Sequence, residues 1–155
     1  MACLCCLCTP LIFLIIFSIL CAMKTYRDRG AAEFGVTKPE IIIPESAHAA
    51  FIKGAHYFGY KLVYAKIRDD WRVDLDDVRR LVNANTVMVV GSAPSFPHGV
   101  IDDIEALGDI LKDHPQAGLH VDACLGGFIL PWLQQQKKKK KDFDFAIPRV
   151  CVVDS

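Results

Sequence analysis

The residues with types suited to chemistry are His48, His98, His120, Asp122 and Cys124, followed by Gly126-Gly127. The stretch from Gly118 to Phe128 reads as an apolar strand that ends in an acid and then a glycine-rich turn. In open α/β sheets ligands sit outside the carboxyl ends of the strands, so Asp122 stands where a site acid belongs. A strand-terminal Asp is also a common helix cap. Several chemistries compete for this residue set. A metal site wants two or three His or carboxylate ligands at tight spacing, and these are scattered with no HExxH-like pair. Cys124 with His48 or His98 has the composition of a nucleophile–base pair, but nothing marks the thiol as activated. A dinucleotide site needs GxGxxG after the first strand, and Pro44-Glu45-Ser46-Ala47-His48 stands there instead. The fourth chemistry is that of pyridoxal phosphate. A carboxylate keeps its pyridine nitrogen protonated, which suits Asp122, and a flat neutral imidazole stacked on the ring suits His48.

These residues need a scaffold, and the hydrophobic pattern supplies one. Residues 18–34 read as helical, with Gly35 as a stop. Ile41-Ile42-Ile43 fits a buried parallel strand. A helix over Ala47 to Phe58, capped by Ser46 and closed by Gly59, follows. Lys61 to Lys66 reads as the second strand. Asp74 caps a helix from Leu75 to Asn83, whose Leu75, Val78, Leu81 and Val82 form an apolar stripe. Thr86 to Val90 is the third strand and opens into the turn-rich loop Gly91 to Gly99. Asp102 or Asp103 starts a helix to about Asp113, and Leu119-His120-Val121 is the fourth strand. Alternation at this spacing predicts successive βαβ units, a parallel sheet with helices on its faces.

Length and composition set the outer bounds. At 155 residues the chain has room for one domain. Its 18 basic and 18 acidic residues balance, and no basic field argues for nucleic acid. Cys3, Cys5, Cys6 and Cys8 lie too close together for a disulfide framework and show no paired CxxC zinc pattern. Membrane-proximal cysteines open to acylation fit them better. Ala2 to Met23 carries no charge, and about 20 apolar residues span a bilayer. Residues 1–23 are therefore a candidate membrane span. Lys24, Arg27 and Arg29 after it place the remainder in the cytosol by the positive-inside rule. Gln134 to Lys141 is a low-complexity run that reads as a solvated loop, with anionic lipid as a further contact.

Three segments, in order, resemble the sphingosine-1-phosphate lyases. They are Ser46-Ala47-His48-Ala49-Ala50-Phe51, Ser92 to Asp102 (SAPSFPHGVID), and His120-Val121-Asp122-Ala123-Cys124-Leu125-Gly126-Gly127-Phe128. Asp142-Phe143-Asp144-Phe145 is similar to the segment that follows in that family. The resemblance runs from about Ser18 to Pro148. It implies a partial large domain, over residues 24–133, of the fold-type I pyridoxal-phosphate transferase fold, with 134–155 as a low-complexity tail. It implies pyridoxal 5'-phosphate as cofactor, His48 stacked on its ring, Asp122 paired with its pyridine nitrogen, and Ala123 and Cys124 against the ring. It also implies carbon–carbon cleavage of a sphingoid base phosphate to a fatty aldehyde and phosphoethanolamine, a homodimer in the full-length protein, and an endoplasmic reticulum membrane location. The family's Schiff-base lysine lies in a Thr-His-Lys segment expected a few residues past Ser155. That lysine, the Gly-Thr phosphate-binding segment and the small C-terminal domain are therefore expected to be missing. The chain alone is expected to be inactive, and a non-catalytic remnant that pairs with full-length lyase subunits is the alternative.

Overall fold

A computed structural model describes residues 5–127, 129–130 and 150–153, with side chains over 16–127, 129 and 130. The element order is α1 (Cys5–Phe34), β1 (Glu40–Pro44), α2 (Ala49–Phe58), β2 (Lys61–Ala65), α3 (Leu75–Leu81), β3 (Thr86–Ser92), α4 (Ile104–Ile110) with a 3-10 turn (Leu111–Asp113), β4 (Gly118–Asp122) and β5 (Val150–Val153). The strands form one parallel sheet in the order β2-β1-β3-β4-β5. The chain first winds outward to β2, then crosses back over β1 to build β3, β4 and β5. The strand order thus reverses between β1 and β3, and that reversal opens a crevice at the carboxyl ends.

Alternation along each strand feeds two cores. Ile41, Ile43, Met88 and Val90 pack with Ile19 and Met23 of α1 and Phe51 and Ala55 of α2. Ile42, Val89, Leu119 and Val121 pack with Val78 of α3 and with Ile104, Leu107 and Leu111 around α4. Both faces are covered, which is why the strands read as near-continuous apolar runs rather than alternating ones.

Most element boundaries agree with the sequence pattern to within two residues, and four findings refine or correct it. First, α2 starts at Ala49 with His48 as its cap; His48 Nδ1 accepts the Ala50 N–H at 3.1 Å. Ser46 is not the cap, because the chain first turns there, with the Ala47 N–H donating to the Pro44 carbonyl at 3.0 Å. Second, Asp103 rather than Asp102 caps α4, through the Ala106 N–H. Third, a fifth strand stands beside β4, where the sequence pattern ended at four; the β-branched Val150-Cys151-Val152-Val153 run is its signal. Fourth, the end of the candidate membrane span has a protein partner, while the side chains of residues 1–15 lie outside the described residues. Ile19, Ala22 and Met23 lie in the core under α2, so the end of the apolar run faces protein. Among the described residues no helix is long and apolar enough to cross a membrane. The low-complexity run Gln134 to Lys141 and the Asp142–Phe145 segment lie outside the described residues.

Close packing of α1 on the sheet depends on Gly118. A Cβ there would stand 2.0 Å from Tyr26 Cε1. The ring cannot swing aside freely, because Tyr26 Oη donates to the Leu119 carbonyl at 3.1 Å. Gly118→Ala is therefore expected to cost about 2 kcal/mol through overpacking. Urea unfolding reads this loss, and it should shrink in a Tyr26→Ala background, where the clash is gone.

His120 is fully buried, edge-on to Phe51 at 5.5 Å between ring centroids. Neither ring nitrogen has a hydrogen-bond partner among the described residues. Burial outweighs the pull of Asp122 and depresses its pKa from the usual 6.5 to about 4. The unfolded chain thus takes up a proton on His120 at a higher pH than the folded chain does. Stability from this group is fully present above about 6.5 and is lost as pH falls towards about 4. The loss is expected to reach ~3 kcal/mol. His120→Leu should flatten that part of the pH profile in urea titrations.

Candidate functional site

Three segments leave the carboxyl edge of the sheet next to one another. They are residues 45–48 after β1, residues 93–99 after β3 and residues 123–127 after β4. β3 stands between β1 and β4, so its loop is the middle of the three. The β3–β4 ladder runs to its last pair, Ser92 opposite Asp122. The Ala93 N–H then donates to the Asp122 carbonyl at 2.8 Å, which extends the pairing by one step. The turn after β4 closes onto the same point. A Cβ at Gly126 would lie 1.9 Å from the Ala93 carbonyl oxygen, so only glycine permits this approach.

Asp122 is half-buried at the end of β4, and its Oδ1 accepts the Cys124 N–H at 3.2 Å. That contact folds the turn back under the carboxylate. Cys124 is half-buried, and its thiol is pushed up to about 12 by burial, by its hydrogen bond to Asp122 and by the Asp122 charge. At neutral pH it is a thiol, which removes it as an activated nucleophile. Ala123 has no exposed surface and packs in the core with α3 and α4. Alternation along the chain turns its methyl towards that core.

His48 caps α2 from the β1 loop, exposed, with Nδ1 engaged by the Ala50 N–H. Any ring proton of the neutral form is therefore on Nε2, and the imidazole plane is set by the helix start. His98 is occupied differently. Its ring lies flat on Trp71, 4.4 Å between centroids and 9° between planes. Trp71 holds a left-handed backbone, φ 65°, at the tip of the turn from Arg68 to Arg72. His120 points away from the edge into the α1/α2 core. The structure thus brings His48, the His98 loop, Asp122 and Cys124 to one edge and separates His120 from them. Among the described residues no group of three His, Cys, Asp or Glu side chains converges as a metal set would.

One residue at this edge, the last of the Ser92–Asp102 segment, has no role in the sequence pattern beyond that of a helix starter. Asp102 is 3 % exposed, and its carboxylate accepts the Ser92 N–H and the Val73 N–H, each at 2.8 Å. Burial raises its pKa above the usual carboxylate range, against the opposing pull of these two donors and Arg72. The signal in the sequence was the Asp102-Asp103 pair. A cap needs one acid, and the other is free for a buried role.

A pyridoxal phosphate ring fits what is present. The edge offers a carboxylate, a planar imidazole of fixed orientation and a tight glycine turn.

Comparison with known proteins agrees with this geometry. Residues 28–127 match the family model for aminotransferase class-V. The chain is 46 % identical to the sphingosine-1-phosphate lyase of Arabidopsis thaliana over 136 residues, which is 88 % of this chain and 25 % of that protein. It is 47 % identical to that of Saccharomyces cerevisiae over 138 residues, 88 % of this chain and 23 % of that protein. It therefore spans about a quarter of the length of the curated relatives it matches. The solved structure of the Burkholderia pseudomallei sphingosine-1-phosphate lyase superposes with a TM-score of 0.82 at 45 % identity, over 89 % of this chain and 32 % of that one. The Lactobacillus brevis glutamate decarboxylase, 21 % identical with a TM-score of 0.68, shares the fold. The parallel sheet, the carboxyl-edge loops and the matched residues together place this chain in the class-V aminotransferase family.

Proposed function

We propose that the chain carries part of the cofactor-binding domain of a pyridoxal-phosphate-dependent carbon–carbon lyase that acts on a sphingoid base phosphate. The observation that carries this reading is the placement of Asp122. It ends β4, one strand from the reversal between β1 and β3, with its carboxylate at the edge and its backbone locked to β3. The similarity to sphingosine-1-phosphate lyases over most of this chain supports the substrate class and the sphingolipid context.

When bound, pyridoxal phosphate supplies an electron sink through its protonated pyridine ring. In this reading Asp122 holds the proton on the pyridine nitrogen by favouring the charged form. His48 covers one face of the ring, held by the Ala50 N–H, and Cys124 lines the turn beneath it. Ala123 supports that turn from the core side. Homodimer formation and a location at the endoplasmic reticulum belong to the same proposal and rest on the family resemblance; the domain facing the cytosol rests on Lys24, Arg27 and Arg29 after the apolar run.

Fluorescence titration of the purified chain with pyridoxal phosphate tests the site. Asp122→Asn is expected to weaken binding about tenfold, the equivalent of ~1.4 kcal/mol. His48→Ala should weaken it severalfold. Equal binding by the wild type and both variants would remove the site from this edge.

A further inference from the structure

We propose that Asp102 is a positioning residue for Asp122, acting through the end of β3; as a statement about cofactor binding this rests on the reading just given. The ladder between β1 and β3 ends at Ile42 opposite Val89. Ser92 lies three residues beyond that pair, where the two strands part at the crevice. Its N–H is taken by Asp102 Oδ2 at 2.8 Å, and its carbonyl accepts the Asp102 N–H at 3.0 Å. Asp102 therefore replaces the missing neighbour strand for this one residue. Its other oxygen reaches across to the Val73 N–H, just past the turn that carries Trp71. The same turn holds His98 by the ring stack, so the β3 loop is fixed at its base by Asp102 and near its far end by Trp71.

The link to the site runs along hydrogen bonds. Ser92 is the register partner of Asp122, and Ala93, the next residue, donates to the Asp122 carbonyl. The Ala93 carbonyl lies under Gly126. Asp122 Oδ1 in turn accepts the Cys124 N–H of that turn. A shift of Ser92 therefore moves both the backbone of Asp122 and the turn that orients its carboxylate. A carboxylate suits the Asp102 position because two N–H donors converge on it from different segments. An amide has one acceptor oxygen, and its NH2 group would face one of the two donors.

Asp102→Asn tests the proposal in the full 155-residue chain. Two readouts separate positioning from general stability. In the cofactor-free chain, the Cys124 amide NMR resonance reports the Asp122 contact. It is expected to shift in Asp102→Asn and to stay in place in Asp103→Asn, the neighbouring cap variant. An unmoved Cys124 resonance overturns the proposal, whatever the fate of the cofactor reading. With pyridoxal phosphate, Asp102→Asn is expected to bind about tenfold more weakly, and this loss should disappear in an Asp122→Ala background. An equal loss in both backgrounds overturns the proposal, because a purely structural defect does not depend on Asp122. If Asp122→Ala itself leaves affinity unchanged, the cofactor reading fails while the Cys124 resonance still decides the positioning role. Asp102→Glu, which keeps both acceptor oxygens, serves where the amide variant does not fold; it should restore the Cys124 resonance towards the wild-type position, and failure to do so counts against the proposal.

Discussion

The hydrogen bond from the Ala93 N–H to the Asp122 carbonyl, 2.8 Å long, is the contact on which the site depends. It lies one step past the last strand pair and is the point where β-sheet turns into loop. Parallel pairing alone would bring Ser92 and Asp122 level. The extra bond holds the two departing chains together after the ladder ends, and the close approach of Gly126 to the Ala93 carbonyl closes the turn over it. A polar group at such an edge is either paired or costs roughly 1–3 kcal/mol when buried without a partner. The structure answers with Asp102 at Ser92 and with Asp122 itself at Cys124.

The larger architecture serves the same edge. Reversal of the strand order puts α1 and α2 on one face of the sheet and α3 and α4 on the other. Two cores result, each fed by alternate residues of the same strands. That arrangement leaves the carboxyl ends of β1, β3 and β4 side by side. It also explains why one His of the chain is spent on packing. His120 alternates with Asp122 along β4 but lies two residues deeper, and the α2 helix that covers the sheet covers it with Phe51. The acid survives at the edge because β4 ends there.

Much of this was legible in the residues. Runs of Ile and Val between turn formers located β1, β3 and β4, and capping acids located α3 and α4. The three segments shared with the lyase family picked out the loops that the structure sets at one edge, and His48 and Asp122 are both found there. Other features were not legible, for identifiable reasons. The sequence suggests His48 as a ring partner only, yet its Nδ1 also caps α2, a role that Ser46 suits better by residue type. Asp102 and Asp103 are indistinguishable as caps in sequence, and only the fold shows which one turns inward. The stack of Trp71 on His98 joins residues 27 positions apart on different connections, and no local pattern encodes it. The apolar start of the chain has the composition of a bilayer span, yet packing on α2 claims its last turns. Composition reports that a surface avoids water and does not say what covers it.

In the proposed site Asp122 keeps the pyridine nitrogen of pyridoxal phosphate protonated. Nitrogen NMR of isotopically labelled cofactor, bound to the chain at mildly alkaline pH, reads that protonation directly. A protonated ring nitrogen is expected in the wild type and an unprotonated one in Asp122→Asn. An unprotonated nitrogen in the wild type, or no difference between the two, would contradict it.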